Sequence, residues 1–212
     1  MIVVIEQYNA HEYPNLMDEM FRLRARIFRD RLGWDVQVAD GKERDKYDDQ
    51  GPVYIIYADD ETQKVKGSLR LLPTTGPTVL ADIFSDTLPD AVRLSAPTIW
   101  ECTRFCVEDH GSSGRRHREE LIASGVLIAA LGDVAIRAGI EWIVGNFDST
   151  MLRLYRRIGC EVEVLGSTER YGRPVYLGSF PISEVILRKV KGRLKTAQLP
   201  MARSADRRIL VS

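Results

Sequence analysis

Cysteine and histidine are both scarce. Cys102, Cys106 and Cys160 include no C-x-x-C pair, and His11, His110 and His117 are not spaced as metal ligands. This argues against a disulfide framework, a metal site and any prosthetic group. It points to reduced thiols in a cytoplasmic protein. Net charge is also missing, because 30 basic residues cancel 30 acidic ones. Overall charge therefore favours neither a nucleic-acid nor a membrane partner, and electrostatic docking must come from local patches. No apolar run approaches membrane-spanning length. The opening MIVVIEQYNA meets an acid at residue 6 and lacks the basic start and long apolar core of a signal peptide. Several signatures are absent: G-x-x-x-x-G-K-[ST], H-E-x-x-H, G-x-S-x-G, and any G-x-G-x-x-G after a strand. A P-loop, a zinc protease site, a hydrolase elbow and a Rossmann dinucleotide site are disfavoured accordingly.

What is present suits a globular enzyme. The chain of 212 residues is 44% apolar and 28% charged, enough for one domain with a sizeable core. We expect that domain over residues 1–192, with 193–212 a basic, loose tail. Strands are predicted at 2–5, 53–58, 65–72, 98–107, 140–147, 161–165 and 175–180. Helices are predicted from Pro14 to Gly33, over 114–138 and 149–158, and from Ser183 to about Arg193. Residues 34–50 read as a long loop, mobile when empty and ordered on binding. The order implies an α/β domain with a mixed, twisted sheet between helices. It looks like the GNAT-type acyltransferase fold, in which two central parallel strands splay.

Three local patterns carry chemistry. On the first helix, Phe21, Arg24 and Phe28 share a stripe, so Arg24 is framed by aromatics. On strand 98–107, Glu101 and Arg104 are an odd number of residues apart. Simple alternation opposes them, so joint service in one site needs a bulge or splay. Cys102 and Cys106 share one face of a straight strand and read as buried apolar residues. Finally, Arg115, Arg116, His117 and Arg118 place basic charge at a helix start, against the helix dipole. Either this turn is simply solvated beside Glu119 and Glu120, or the terminus, preceded by His110–Gly114, receives a phosphate.

Taken together, Arg24-x-x-x-Phe28, Trp34, Glu43-Arg44-Asp45-Lys46-Tyr47-Asp48, Ser68-Leu69-Arg70-Leu71, Phe84 and Glu101-Cys102-Thr103-Arg104-Phe105 resemble the acyl-homoserine lactone synthases, the autoinducer synthases. The likeness runs through Arg157-Ile158-Gly159 and covers most of residues 1–190. It implies that the amine of S-adenosylmethionine, a co-substrate, is acylated from an acyl-CoA or an acyl-carrier protein. The homoserine moiety then cyclises, releasing methylthioadenosine.

The resemblance implies a division of roles. Glu101, Arg104, Arg70, Asp45 and Asp48 form the catalytic set. Arg24, Phe28, Trp34, Phe84, Arg104 and Phe105 hold S-adenosylmethionine, with aromatic faces for the sulfonium and a guanidinium for the carboxylate. Two flanking arginines are expected to lower the pKa of Glu101, which favours orienting or water activation over direct abstraction. The acyl pocket is expected between the two central strands, lined by Trp100, Trp142 or Val144, Phe147, Met151, Leu152 and Tyr155. Gly145-Asn146-Phe147 stands where 3-oxo-selective members look to carry a threonine nearby, which argues against a 3-oxo chain, and a bulky Phe147 would shorten or reshape the tunnel, so a short, branched or aryl chain is expected. Arg115, Arg116, Arg118, Arg153, Arg156 and Arg157 would meet CoA phosphates or an acidic carrier. The competing readings are a GNAT-type N-acetyltransferase on another amine and a non-catalytic S-adenosylmethionine sensor. In their bland readings the aromatics are core, Asp45 and Asp48 form turns, and Glu101–Arg104 is a structural pair.

Overall fold

The computed structural model describes residues 1–88, 94–108 and 114–196. Short β-branched strand β1 (Ile2–Ile5) leads to helix α1 (Pro14–Arg24). Pro14 opens that helix, where a missing N–H costs nothing. The helix does not continue regularly to Gly33. It widens into a π-helical segment, Ala25–Arg31, before Gly33 turns the chain. The next stretch is not an irregular loop either. It holds a small hairpin, β2 (Val38–Ala39) with β3 (Lys42–Glu43), and a 3-10 turn at Lys46–Asp49. Then come β4 (Val53–Ala58), β5 (Val65–Pro73), the one-turn helix α2 (Val79–Asp82), β6 (Ile99–Val107), α3 (Gly114–Arg137), β7 (Trp142–Phe147), α4 (Ser149–Ile158), β8 (Glu163–Thr168), β9 (Val175–Pro181) and α5 (Glu184–Thr196).

The large strands form one sheet in the order β1-β4-β5-β6-β7-β9-β8. Its neighbours are antiparallel except for β6 and β7, which are joined through the long crossover helix α3. Alternation splits each strand between two layers. Tyr54, Ile56 and Cys106 pack under α1 with Met20, Phe21 and Phe28. Ile55, Leu69, Leu71 and Ile143 pack on the other face against Leu127, Leu131 and Val134 of α3. Helix α5 closes over α3 through Leu187 and Val190. Each of these large side chains, fully buried, is worth about 1.5–3 kcal/mol of transfer free energy.

Two irregularities place the site. The first is a bulge in β6. Arg70 pairs with Thr103 and Ser68 with Cys106, so two β6 residues stand opposite Leu69 alone. Arg104 is the extra residue and takes φ +51°. The bulge reverses alternation beyond it: Cys102 packs on the α3 face while Cys106 packs under α1, so the two cysteines do not share a face. The second is a fork. Strands β6 and β7 pair only at Ile99–Trp142, Trp100–Ile143 and Glu101–Val144. The carbonyl of Cys102 still lies close enough that a Cβ on Gly145 would meet it at 2.8 Å. Beyond that point β7 pairs with β9 alone.

Candidate active site

Arg24 ends α1 with its guanidinium buried beneath the hairpin segment. Its Nε donates to Glu43, and its two terminal nitrogens donate to the Asp48 carboxylate at 2.8 and 2.9 Å. Arg70, buried on β5, donates in a fork to Asp45 at 2.6 and 2.9 Å, to Asp48 at 2.8 Å, and from Nε to the Thr103 hydroxyl at 3.0 Å. Arg104 reaches Glu43 at 3.0 and 3.1 Å and Asp45 at 2.8 Å. The pairs close on themselves: Arg24, Glu43, Arg104, Asp45, Arg70, Asp48 and back to Arg24. Positive and negative groups alternate all the way round.

Local sequence dictates how the carboxylates arrive. Asp45 caps the 3-10 turn by accepting from the Tyr47 N–H at 2.9 Å, and Asp48 reaches back to the Asp45 N–H at 2.8 Å. Tyr54 donates its hydroxyl to Asp48 at 2.7 Å. Burial pushes the Asp48 carboxyl up, but the Arg24 hydrogen bonds and the charges of Arg24 and Arg70 hold it well below the usual carboxylate range. Burial would likewise lower the pKa of Arg24, yet Asp48 and Glu43 raise it far above its ordinary value. Burying this many charges is tolerable because each is paired and hydrogen-bonded.

The ring meets solvent at Arg104 and Asp45, whose side chains are 15% and 17% exposed while Arg24, Glu43, Asp48 and Arg70 are closed off. Aromatic residues flank this opening. Phe28 stacks on Trp34 with centroids 5.1 Å apart, and the Arg104 guanidinium lies 5.3 Å from the Phe28 ring centre. Trp34 is 39% exposed. A π-helical segment, often found at functional sites, carries Phe28 to this position. Arg104 itself arrives through the β6 bulge, at a φ that costs a non-glycine residue on the order of 1–3 kcal/mol.

Glu101 lies on the same side of the sheet but deeper. Its two oxygens accept the backbone N–H groups of Val79 and Leu80 at 2.9 and 2.7 Å, at the start of α2. Burial pushes its carboxyl up to about 7, against the downward pull of those N–H groups, Arg70 and Arg104. The expected lowering is thus reversed, because desolvation outweighs the flanking cations. Tyr47 is buried beside this cluster, donates to Asp82 at 3.0 Å, and lies 5.5 Å from the Arg70 guanidinium. Phe84 packs against Tyr47 and Leu72 on one side and Leu80 and Val144 on the other.

The opposite face of the fork holds an apolar cavity of about 70 Å³, lined by Cys102, Phe105, Ile143, Tyr155, Phe180 and α3 and α5 side chains. Tyr155, expected in an acyl pocket, lines it. Phe105 lines it too, because the bulge moves that ring off the face of Glu101 and Thr103. Phe147 stands beside the cavity wall, 5.3 Å from the Tyr155 ring and 5.9 Å from Phe180. Trp142 is 40% exposed, and Val144 faces the other layer against Leu80 and Leu177. Trp100 is half-buried and donates its Nε1 to the Pro97 carbonyl at 3.2 Å. Met151 and Leu152 are half-buried on α4 but do not line the cavity. Arg153, Arg156 and Arg157 lie exposed along α4, and Arg118 is exposed on α3. The Arg115 and Arg116 side chains, and residues 109–113, lie outside the described residues. Glu43 belongs to the ring although sequence reasoning assigned it no role. Its signal was the run Glu43, Asp45, Asp48 following a buried arginine.

A family model for autoinducer synthases matches residues 8–190. An acyl-homoserine-lactone synthase from Rhizobium etli is 39% identical over 195 residues, covering 92% of this chain and 90% of that one. One from Pseudomonas aeruginosa is 41% identical over 173 residues, covering 81% and 84%. Among solved structures, the CoA-dependent acyl-homoserine lactone synthase BjaI, determined with MTA and with SAM and isopentyl-CoA, superposes with a TM-score of 0.81 at 27% identity, covering 92% and 89%. An aminoglycoside 6'-acetyltransferase shares the fold at a TM-score of 0.53 and 14% identity, covering 85% and 97%. Among the described residues, no helix is long and apolar enough to cross a membrane.

Proposed function

The chain belongs to the autoinducer synthase family and is an acyl-homoserine-lactone synthase, and on that premise we propose that it acylates S-adenosylmethionine from a short, branched or aryl acyl thioester. The observation that carries this reading is the opening of the charge ring at Arg104 and Asp45, beside Phe28 and Trp34. An α-amino acid brings a carboxylate for the first and an ammonium for the second. A sulfonium finds an aromatic face alongside. That BjaI was solved with both SAM and isopentyl-CoA supports the pairing of substrates.

The reaction then runs as follows. The ammonium gives a proton to Glu101 through a water. A carboxyl with its pKa near 7 suits that transfer at neutral pH. The freed amine attacks the thioester carbonyl, the amide C–N bond forms, and the C–S bond breaks to release the thiol. The homoserine carboxylate next attacks the carbon beside the sulfonium. The ring closes as that carbon–sulfur bond breaks, and methylthioadenosine leaves. The thioester lies at the fork, with its acyl tail running to the cavity beside Tyr155 and Phe180. Much of the rate comes from holding two substrates in register.

Mass spectrometry tests this. Purified protein is given S-adenosylmethionine with panels of acyl-CoA and acyl-carrier-protein donors. N-acyl-homoserine lactone and methylthioadenosine are expected together, and the active panel names the carrier. An acylated amine with no methylthioadenosine would overturn the reading.

A further inference from the structure

Among the described residues, buried side-chain polar atoms without a hydrogen-bond partner are confined to Glu6 Oε1 and Asn146 Oδ1. Glu6 lies far from the fork, on the segment after β1. Asn146 lies at the fork. An orphaned buried acceptor is costly and calls for an explanation.

The orientation of the Asn146 amide follows from its neighbour. Its Nδ2 lies 3.1 Å from the Thr87 hydroxyl, and that hydroxyl donates its one hydrogen to the Phe84 carbonyl at 2.6 Å. Thr87 Oγ1 can therefore only accept from Asn146. The nitrogen must face Thr87, and the oxygen must be the orphan. A simple amide flip would put two acceptors together.

Its position is equally defined. Strands β6 and β7 pair through Glu101–Val144 and still touch at the Cys102 carbonyl and Gly145. Asn146 follows directly. By alternation it shares the face of Val144, which packs on Leu80, and Leu80 in turn donates to Glu101. It is therefore the first β7 side chain past the parting of the strands, on the side that carries the charge ring. The apolar cavity is on the other side. On the function proposed above, the thioester reacts on the ring side and its tail passes through the fork. The first carbons of the acyl chain then pass Asn146.

We infer that Asn146 Oδ1 selects an acyl donor bearing a hydroxyl near the thioester. Such a hydroxyl supplies the missing hydrogen. A 3-oxo group presents a second acceptor to the amide oxygen and is disfavoured, and an unsubstituted chain leaves the orphan as it is. An amide N–H of a pantetheine arm shares the donor chemistry, and the experiment separates the two.

The test rests on the proposed reaction and uses the full chain with S-adenosylmethionine. Hexanoyl, 3-hydroxyhexanoyl and 3-oxohexanoyl thioesters, each as CoA and carrier-protein forms, are compared by kcat/KM for lactone formation. Absence of lactone and methylthioadenosine from every donor would defeat the functional reading itself. Given turnover, the 3-hydroxy donor is expected to lead by about ten- to a hundredfold. Asn146→Ala should erase that lead with little effect on the unsubstituted chain. Thr87→Val frees the amide to turn and should raise use of the 3-oxo donor. A wild-type enzyme that prefers the unsubstituted chain overturns the inference. So does an Asn146→Ala variant that loses all donors equally, which is the result expected if the pantetheine arm were the partner.

Discussion

Glu101 and Arg104 face the same side of the sheet although three positions separate them on one strand. Regular alternation would oppose them. The extra residue of the β6 bulge is Arg104 itself, at φ +51°, and that single insertion delivers its guanidinium to Glu43 and Asp45. Phe105 is correspondingly sent to the other face, where it meets Tyr155 with centroids 6.3 Å apart.

Replacing Arg24 tests whether the ring is structural as well as functional. Arg24→Ala leaves the buried carboxylates of Glu43 and Asp48 without their shared partner. We expect a loss of about 3–5 kcal/mol in chemical denaturation. Arg24→Lys should recover only part, because an ammonium lacks the planar fork. A cost below about 1 kcal/mol for the alanine variant would mean that the carboxylates find other partners.

Acid should loosen the same region. The Asp48 carboxyl is held below its ordinary value in the folded state, so its contribution is complete above the unfolded pKa of about 4 and is lost as pH falls further. Thermal melts between pH 6 and pH 2 should show stability dropping from about pH 4 downward, and Asp48→Asn should flatten that drop. An equally steep drop in the variant would assign the acid sensitivity elsewhere.

Glu101 predicts a different profile. Its carboxyl is pushed up to about 7 by burial, so the proton-accepting form is depleted below that pH. The kcat/KM for lactone formation should fall about tenfold per unit on the acid side of pH 7, and Glu101→Gln should lose about 10²- to 10⁴-fold. A flat wild-type profile from pH 5.5 to 7.5 would remove Glu101 from proton transfer.

Chain length should respond to Phe147. Its ring lies against Gly178, where an added Cβ would meet it at 2.5 Å, and against Tyr155 and Phe180. Phe147→Leu is expected to shift kcat/KM about tenfold toward longer acyl donors, since one side chain of this size is worth one to a few kcal/mol in a pocket. An unchanged chain-length preference would place the acyl tail away from this ring.

Much of this was legible beforehand, and the gaps have physical causes. Helix α4 was readable because its arginines share one face and Gly159 stops it in a left-handed turn, while its cap, Asp148, is a finding of the structure. The need for a bulge or a splay in β6 followed from parity once Glu101 and Arg104 were assigned to one site, and the structure holds a bulge. Its location did not, because a positive φ at an arginine has no sequence signature. The π-helical segment after Arg24 keeps the apolar spacing of an ordinary helix, so nothing marked it. Glu43 gained its role only when a hairpin tucked it under Arg24 and Arg104. The direction of the Glu101 shift was misread because charge can be counted along a chain and burial cannot.

A closed loop of alternating signs has an even number of members, and it stays alternating only if new members enter in opposite pairs. On the proposed placement of the substrate, an α-amino acid entering between Arg104 and Asp45 would insert such a pair from a single carbon, carboxylate toward the cation and ammonium toward the anion. The loop would lengthen by two and itself gain no net charge. A simple amine or a simple acid would bring half of the pair and leave one partner facing nothing, so the proposed choice of an amino-acid substrate is a matter of parity before it is one of shape.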